Sequence, residues 1–334
     1  MLTEGLGLKL QKLTSTGQPS VDIDTLEDLA GQHPIIPLLI EYRELDKLAS
    51  AFISKMPKLA DKDGRVHPTC NQLGATSGRF TCSDPNIQQL PRSSGEAKVL
   101  RAAFIAGPGR KIVDADWSQI ELRVLAHFSK DESLNEAFAS DADLHTRTAS
   151  LMFKKPEAQI TKEQRGAAKA VNFGICYGLG APGLFRSLHA AHIPATLEEC
   201  KKFIASYRRS YPGISRFLNG IQFRLQEQGY ITTLSGRRRR MRADGSDALS
   251  VQNAIILGSA ADIAKDAMVR LHAQLPAGAY LIAMIHDEFV VECAEEQADE
   301  VRVFMVEVMS KQPDGFTVPL KVDAQIGDNW GECK

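Results

Sequence analysis

The stretch Lys111-Ile-Val-Asp-Ala-Asp-Trp-Ser-Gln-Ile-Glu-Leu-Arg-Val-Leu-Ala-His-Phe128 decides how the rest of the chain is read. Alternation over Ile112–Asp116 puts Asp114 and Asp116 on one face and Val113 and Ala115 on the other. From Ser118 the apolar residues Ile120, Leu122, Val124, Leu125 and Phe128 recur at helical spacing. A strand followed by a helix is therefore predicted. Farther on, the apolar runs Tyr280–Ile285 and Phe289–Cys293 flank His286-Asp-Glu288, which predicts a hairpin with its charges at the tip.

Carboxylates are depleted in strands, and burying them without a partner is costly. Two acidic strand ends in one sheet call for a neutralising cation. Hard oxygen ligands suit Mg²⁺, which keeps some of its water and binds beside phosphates. Two such ions roughly 3.5–4 Å apart would activate an attacking oxygen and stabilise a leaving one. The other reading of the same pattern is a set of solvated loop acids.

Working outward, Ile36–Met56 carries Leu38, Leu39, Tyr42, Leu45, Leu48, Ala49 and Phe52 at helical spacing, within a mostly polar, helical region 6–62. Asp22 offers a cap before Leu26, and Asp61–Gly64 is a turn. Val66–Cys70 is a candidate strand, and Thr76–Arg92 is a long loop rich in Gly, Ser, Pro and Asn, of the kind that usually carries function. Asp143–Gln228 is mainly helical, broken near Gly178–Gly180 and Tyr211–Gly213; a helix over Ser250–Gln274 and a strand over Val318–Ala324 follow. The fold class is α+β, with two parts of one sheet separated by a helical insertion.

With 334 residues, 43% of them apolar and 24% charged, the chain suffices for two or three packed units and is not a disordered polymer. No apolar run approaches the ~18 residues of a membrane span, and no cleavable leader is evident. The six scattered cysteines read as reduced thiols rather than a disulfide frame or zinc site. Net charge is only −1, but residues 160–247 hold 15 basic against 6 acidic residues and residues 286–334 hold 4 against 12. A basic middle and an acidic end suit a protein that holds a polyanion and cations in different places; two solvated faces of opposite sign fit equally.

Arg165, Lys169, Phe173 and Tyr177 lie four residues apart and form one slowly spiralling helical stripe. A core helix would not carry the cations, and a solvated one would not add the rings. A nucleotide accounts for both, with cations on phosphates and rings against base or sugar. An amphipathic helix with snorkelling basic ends is the plainer reading.

DADWSQIELRVLAHF (Asp114–Phe128), the R-x-x-x-K-x-x-x-N-F-G-x-x-Y-G series (Arg165–Gly178) and HDE (His286–Glu288) resemble motifs A, B and C of family A DNA polymerases. Thr76–Pro91, Asp143–Phe153, Thr233–Arg240 and Val318–Trp330 also resemble that family, in its order, and Leu6–Ser20 followed by Ile35–Phe52 is similar to its thumb. The resemblance implies a right-hand polymerase with an antiparallel-sheet palm, helical fingers and a partial helical thumb. Its parts would be a partial thumb over 1–66, palm over 67–140 and 249–334, and fingers over 141–248. The implied activity is template-directed extension of a primer 3′ end with deoxynucleoside triphosphates, releasing pyrophosphate, in the bacterial repair or phage replicative type.

By match to the motifs, Asp116 and Asp287 would hold two Mg²⁺ (Mn²⁺ being a possible substitute), helped by the Trp117 backbone carbonyl, with Glu288 as an auxiliary carboxylate. His145, Arg165 and Lys169 would grip the triphosphate, and Lys169 would protonate departing pyrophosphate. Phe173 would lie by the sugar and Tyr177 by the nascent pair. Glu121 would crowd a ribose 2′-hydroxyl, supported by Gln119. Arg79, Asn86, Gln88, Asn253 and His286 would meet the primer–template DNA. Primer–template DNA and deoxynucleoside triphosphates are the implied partners, no membrane is involved, and the implied location is cytoplasmic, in a nucleoid or a phage-infected host.

The sequence departs from the family pattern at Trp117, usually Tyr, and at Asp114, usually small or apolar. Leu249 and Leu257 stand where Arg and Gln would touch the duplex minor groove, which at ~1–3 kcal/mol per contact implies altered fidelity or lesion tolerance. The matching region begins inside the thumb, and no proofreading carboxylates are assigned. Either the chain is an excised fragment, or it is naturally short or split, with exonuclease and remaining thumb on a separate chain; the initial Met favours a natural start. A catalytically weak duplex-binding subunit is the rival reading, opposed by the retained acids and cations. A single-subunit RNA polymerase is opposed by Glu121, a two-metal nuclease leaves the basic stripe unexplained, and a P-loop NTPase lacks its motif.

Overall fold

The computed structural model describes all residues except 1–4, 9, 11, 15, 28, 30, 91–95, 192, 241–250 and 334, and the side chains of 96–98 and 222. Two compact units emerge: residues 1–69 with 83–86, and residues 70–82 with 87–334. Leu249 and part of the Thr76–Arg92 loop fall outside the described residues.

In the first unit the helices are α1 (Ile23–Glu27), α2 (Ile35–Leu48), a π-helical turn over Ala49–Ile53, and α3 (Met56–Leu59). The predicted cap holds, because the Asp22 carboxylate accepts from the Thr25 amide at 3.0 Å and its hydroxyl at 2.6 Å. Leu8, Leu26, Leu29 and Ile36 form a small core. The apolar stripe of α2 does not all turn inward: Leu38, Tyr42 and Leu45 are exposed. Helix also begins later than the 6–62 reading, since residues before Ile23 run without it among the described positions.

Two short strands, β1 (Thr69–Asn71) and β2 (Thr81–Ser83), bracket the loop that carries Arg79. Then follow α4 (Glu96–Ala102), β3 (Arg110–Trp117) and α5 (Ile120–Ser129), the last two being the strand and helix read from Lys111–Phe128. A helical block comprises α6 (Glu132–Ala139), α7 (Leu144–Phe153), α8 (Lys162–Cys176), α9 (Ala181–Ala190), α10 (Leu197–Ser210) and α11 (Pro212–Gln228). The breaks fall at the glycines and at Pro212, as read. A hairpin of β4 (Tyr230–Thr232) and β5 (Arg238–Arg240) was not foreseen. The chain closes with α12 (Val251–Gln274), β6 (Tyr280–Ile285), β7 (Glu288–Ala294), α13 (Ala298–Ser310) and β8 (Val322–Gly327). The last strand lies four residues beyond the predicted start, because Val318 and Leu320 pack into the core instead of alternating.

The second unit is α+β: an antiparallel sheet in the order β6-β7-β3-β8 unites the two halves of the chain around the helical insertion. Val113, Ala115 and Trp117 of β3, with Phe289, Val291 and Cys293 of β7, face the main core beside Val301, Met305 and Met309 of α13. Trp117 is 2% exposed, its indole donates to the Met309 carbonyl at 2.9 Å, and its ring meets Phe289 edge-on at 5.5 Å. Truncating such a buried ring costs roughly 3–5 kcal/mol. Because the aromatic body points into this core, the departure at Trp117 leaves the opposite, acidic face unchanged. Among the described residues no helix is long and apolar enough to cross a membrane.

Candidate active site

The face of the sheet opposite the core gathers acids. Asp114 and Asp116 share it with Glu288 and Glu292, since Asp116 pairs in register with Glu288, Asp114 with Val290 and Ile112 with Glu292. Asp323 of β8 sits opposite Asp116 on the other side. Ile285 pairs with Glu288, so His286 and Asp287 form a two-residue turn, and His286 adopts φ 60°, as such turns require. The Trp117 amide donates to the Asp287 carbonyl at 3.2 Å, which holds the turn against the end of β3. Asp116 and Asp287, both half-buried, thus lie at adjoining strand ends.

This donor set suits Mg²⁺. Among the described residues no three His, Cys, Asp or Glu side chains converge into a ready-made ligand cage. One or two carboxylates completed by water and substrate phosphates are the usual environment of that ion.

Glu288 and Asp114 take positions the sequence did not reveal. Glu288 is fully buried, with Arg101 Nη1 at 3.2 Å and the Trp330 indole N–H donating to its Oε1 at 2.7 Å. The same N–H reaches Asp114 Oδ2 at 3.2 Å, and the Arg101 guanidinium lies 4.0 Å over the Trp330 ring. Glu288 is therefore one half of a buried ion pair beneath the acidic edge, and Asp114, 1% exposed, is the extra acid of that same network. The sequence reading gave neither Arg101 nor Trp330 a role.

At the turn from β3 to α5, Gln119 is left-handed (φ 57°) and its Oε1 is buried without a hydrogen-bond partner among the described residues. In the first turn of the helix, Glu121 is clasped from two sides: Arg79 Nη2 lies 2.5 Å from Oε1 and the Tyr177 hydroxyl donates to Oε2 at 2.5 Å. Burial, then the neighbouring Glu121 charge, pushes the Tyr177 phenol well above its ordinary range, so it stays a donor. Arg79 is placed by Arg237, which donates to the Ser77 carbonyl at 2.7 Å and pairs with Asp262 at 3.3 Å. Gly78, at φ 81°, lies under that guanidinium, and a Cβ there would come within 2.7 Å of Arg237 Cζ. Gln88 donates to the Met284 carbonyl of β6 at 3.3 Å. Asn86 belongs to the first unit. Asn253 lies on α12 with its Oδ1 buried and without a hydrogen-bond partner among the described residues, and Leu257, one turn on, is half-buried.

Helix α8 starts with a capping box, the Thr161 hydroxyl accepting from the Gln164 amide while the Gln164 side chain accepts from the Thr161 amide. Its stripe is as read, with Arg165 and Lys169 exposed, Phe173 half-buried and Tyr177 at the C-cap, Phe173 and Tyr177 stacking at 6.4 Å. Arg165 forms a two-point pair with Asp143, Nε to Oδ2 at 2.6 Å and Nη2 to Oδ1 at 3.2 Å. Asp143 also caps α7 through the His145 amide (3.1 Å) and the Thr146 hydroxyl (2.6 Å). Burial alone would raise its carboxyl, but the hydrogen bonds from Arg165 and Thr146 hold it well below the usual range. His145 is 4% exposed and 5.8 Å from the Phe173 ring, and burial followed by repulsion from Arg165 lowers its pKa to about 4, with Lys169 adding in the same sense. His145, Arg165 and Lys169 therefore come together as two cations around a neutral imidazole.

Between α5 and α7 lies a polar cavity of about 240 Å³ lined by Ser118, Gln119, Arg123, Asp141, Asp143 and Lys321, beside the residues just described. Its walls are held by Lys321–Asp141 at 2.6 Å and by Arg123 donating to the Ser118 and Pro319 carbonyls at 2.8 and 2.6 Å.

The acidic face of the sheet and the helix that offers cations and rings lie in the same compact unit. The chain matches the family model described as DNA polymerase family A over residues 1–332, and it belongs to that family. It is 38% identical over its whole length to the thermostable DNA polymerase I of Thermus filiformis, of which it covers 41%. It is also 38% identical to DNA polymerase I of Bacillus subtilis, covering 39% of that protein. Among solved structures it is similar to the POL domain of Pol1 from M. smegmatis in complex with DNA primer-template and dNTP. That likeness has a TM-score of 0.89 at 31% identity and covers 99% of this chain and 60% of the other. The chain thus spans about two fifths of the length of the curated relatives it matches.

Proposed function

We propose that this chain carries out template-directed DNA synthesis, adding deoxynucleotides to a primer 3′ end and releasing pyrophosphate. The observation that carries the reading is the meeting, in one unit, of Asp116 and Asp287 at adjoining strand ends with a helix that presents Arg165 and Lys169 beside His145. In this reading residues 67–140 and 249–334 serve as palm, 141–248 as fingers and 1–66 as part of the thumb. Primer–template DNA and deoxynucleoside triphosphates are the partners, and the setting is cytoplasmic.

Asp116 and Asp287, with the Trp117 carbonyl, would hold the two Mg²⁺. Bound there, the ions would neutralise charge and lower the pKa of the attacking hydroxyl. The chain's own residues do the positioning that phosphoryl transfer chiefly requires. Arg165 and Lys169 neutralise the triphosphate, His145 adds a donor, and Lys169 supplies a proton to the departing pyrophosphate. Phe173 bounds the sugar, and Tyr177 borders the nascent pair. Glu121, immobilised by Arg79 and Tyr177, occupies the space a ribose 2′-hydroxyl would need. Gln119 supports that pocket, and Arg79, Asn86, Gln88, Asn253 and His286 meet the duplex. Glu288 acts from beneath, as the buried partner of Arg101.

Primer extension with Mg²⁺ on templates that differ in one base tests the proposal. Incorporation that follows the template base, prefers deoxy- over ribonucleotides and is lost in Asp287→Ala is expected. Tight duplex binding without extension would favour a binding-only descendant and overturn it.

A further inference from the structure

Behind His145 runs a buried hydrogen-bond chain with a defined direction. Asn172 Nδ2 lies 3.0 Å from His145 Nδ1, Thr148 Oγ1 lies 3.2 Å from Asn172 Oδ1, and the Tyr211 hydroxyl lies 3.0 Å from Thr148 Oγ1. Asn172, Thr148 and Tyr211 are 0% exposed, so bulk solvent does not reach the chain. The Tyr211 hydroxyl has no other hydrogen-bond partner among the described residues, and a buried phenol needs an acceptor for its one proton. It therefore donates to Thr148, whose own proton is then directed to Asn172 Oδ1. That fixes the amide, turns its N–H toward His145 and leaves Nδ1 as an acceptor. The imidazole proton must then sit on Nε2, the nitrogen for which the described residues supply no partner.

We propose that Asn172 is a positioning residue, oriented by Thr148 and Tyr211, that locks His145 in the Nε2–H form so that the ring donates this hydrogen to a phosphate oxygen of the incoming nucleotide. The proposal rests on the reading that His145 faces the triphosphate. Neutrality is what the surroundings demand. Arg165 and Lys169 from α8 and Asp143 at the start of α7 are the charged groups around the ring, and two cations against one carboxylate already paired to Arg165 disfavour an imidazolium. A neutral donor adds a directed contact to the phosphate without a third mutually repelling charge. Nothing in the order N-F-G within the α8 sequence distinguishes Asn172 from an ordinary buried amide; the signal lies in residues from α7 and from the junction of α10 and α11.

The test is ¹⁵N NMR of the full chain labelled at histidine, with the His145→Gln spectrum used to assign the ring among the eight histidines. The expected wild-type result is a protonated Nε2 and a bare Nδ1 from pH 6 to 8. A protonated Nδ1 would overturn the proposal, and this readout needs no variant in the network.

In the near-isosteric Asn172→Asp the carboxylate demands a proton on Nδ1. The ring is then an imidazolium at low pH and has a bare Nε2 at high pH. The nucleotide KM should rise about tenfold from pH 6 to pH 8 relative to wild type, with kcat within twofold, as expected for one hydrogen bond to a charged acceptor. An Nε2–H wild-type ring together with unchanged nucleotide KM in both His145→Gln and Asn172→Asp would instead overturn the reading that His145 meets the triphosphate, and with it the donor role.

Discussion

Arg101→Met removes the guanidinium from the network under the acidic edge while keeping an apolar stem. Arg101 and Glu288 have side chains 1% and 0% exposed, 3.2 Å apart, with Asp114 drawn into the same group through Trp330. Removing one partner of a fully buried pair costs about 3–5 kcal/mol, because the remaining carboxylate stays in a low-dielectric site. The cation–π contact at 4.0 Å acts in the same sense. Against a total stability of roughly 5–15 kcal/mol this is a large fraction. The two tryptophans, Trp117 and Trp330, are both buried in this unit and report its unfolding by fluorescence in urea. The double variant Arg101→Met/Glu288→Gln removes both charges and is expected to regain at least about 2 kcal/mol over Arg101→Met alone. A loss below about 1 kcal/mol in the single variant, or a double variant no more stable than the single, would refute the assignment of Glu288 as a buried partner.

Further outcomes follow from the same contacts. Asp143→Ala removes the α7 cap and the pair with Arg165, and should cost about 1 kcal/mol by thermal unfolding, most of it from the cap because the exposed ion pair contributes little. His145 has a folded pKa of about 4 against an ordinary value of 6.5, so the unfolded chain binds the proton more readily and stability is lost as pH falls below 6.5. At pH 5 this amounts to about 2 kcal/mol, and a comparison of His145→Gln with wild type at pH 7 and pH 5 should show that share of the acid sensitivity disappear. Leu257→Gln restores a polar side chain next to Gly258 on α12 and should change the misincorporation rate; equal error rates in the two proteins would remove the minor-groove argument.

Local patterns in the sequence reached far but stopped at particular distances. The β3–α5 unit, the stripe on α8, the β6–β7 turn and α12 all follow from alternation, spacing and turn chemistry within about twenty residues. What escaped was carried by pairings between remote positions. Arg101 meets Glu288 across 187 positions and Trp330 meets Asp114 across 216, so no local pattern marks either as part of the site. Asp143 looked like one residue of a motif, yet it both caps α7 and holds Arg165. Arg237, the first of the run Arg237–Arg240, is committed to Ser77 and Asp262, pairings that its place in a basic run does not mark. The apolar spacing of α2 correctly gave a helix but not which side would be covered, because Leu38, Tyr42 and Leu45 satisfy the same period while pointing outward. The predicted start of strand β8 was too early because Val318, Leu320 and Val322 recur at every second position, while Val318 and Leu320 belong to the loop that seals the core.

The central claim is that Asp116 and Asp287 form the centre at which the nucleotide is joined to the primer. Rapid-quench measurement of single-nucleotide incorporation in Mg²⁺, for wild type and for Asp116→Asn and Asp287→Asn, tests it most directly. The account predicts template-matched incorporation by the wild-type chain and a loss of at least about a thousandfold in each variant, corresponding to roughly 4 kcal/mol of barrier, with duplex affinity unchanged. Variants within tenfold of wild type would contradict it.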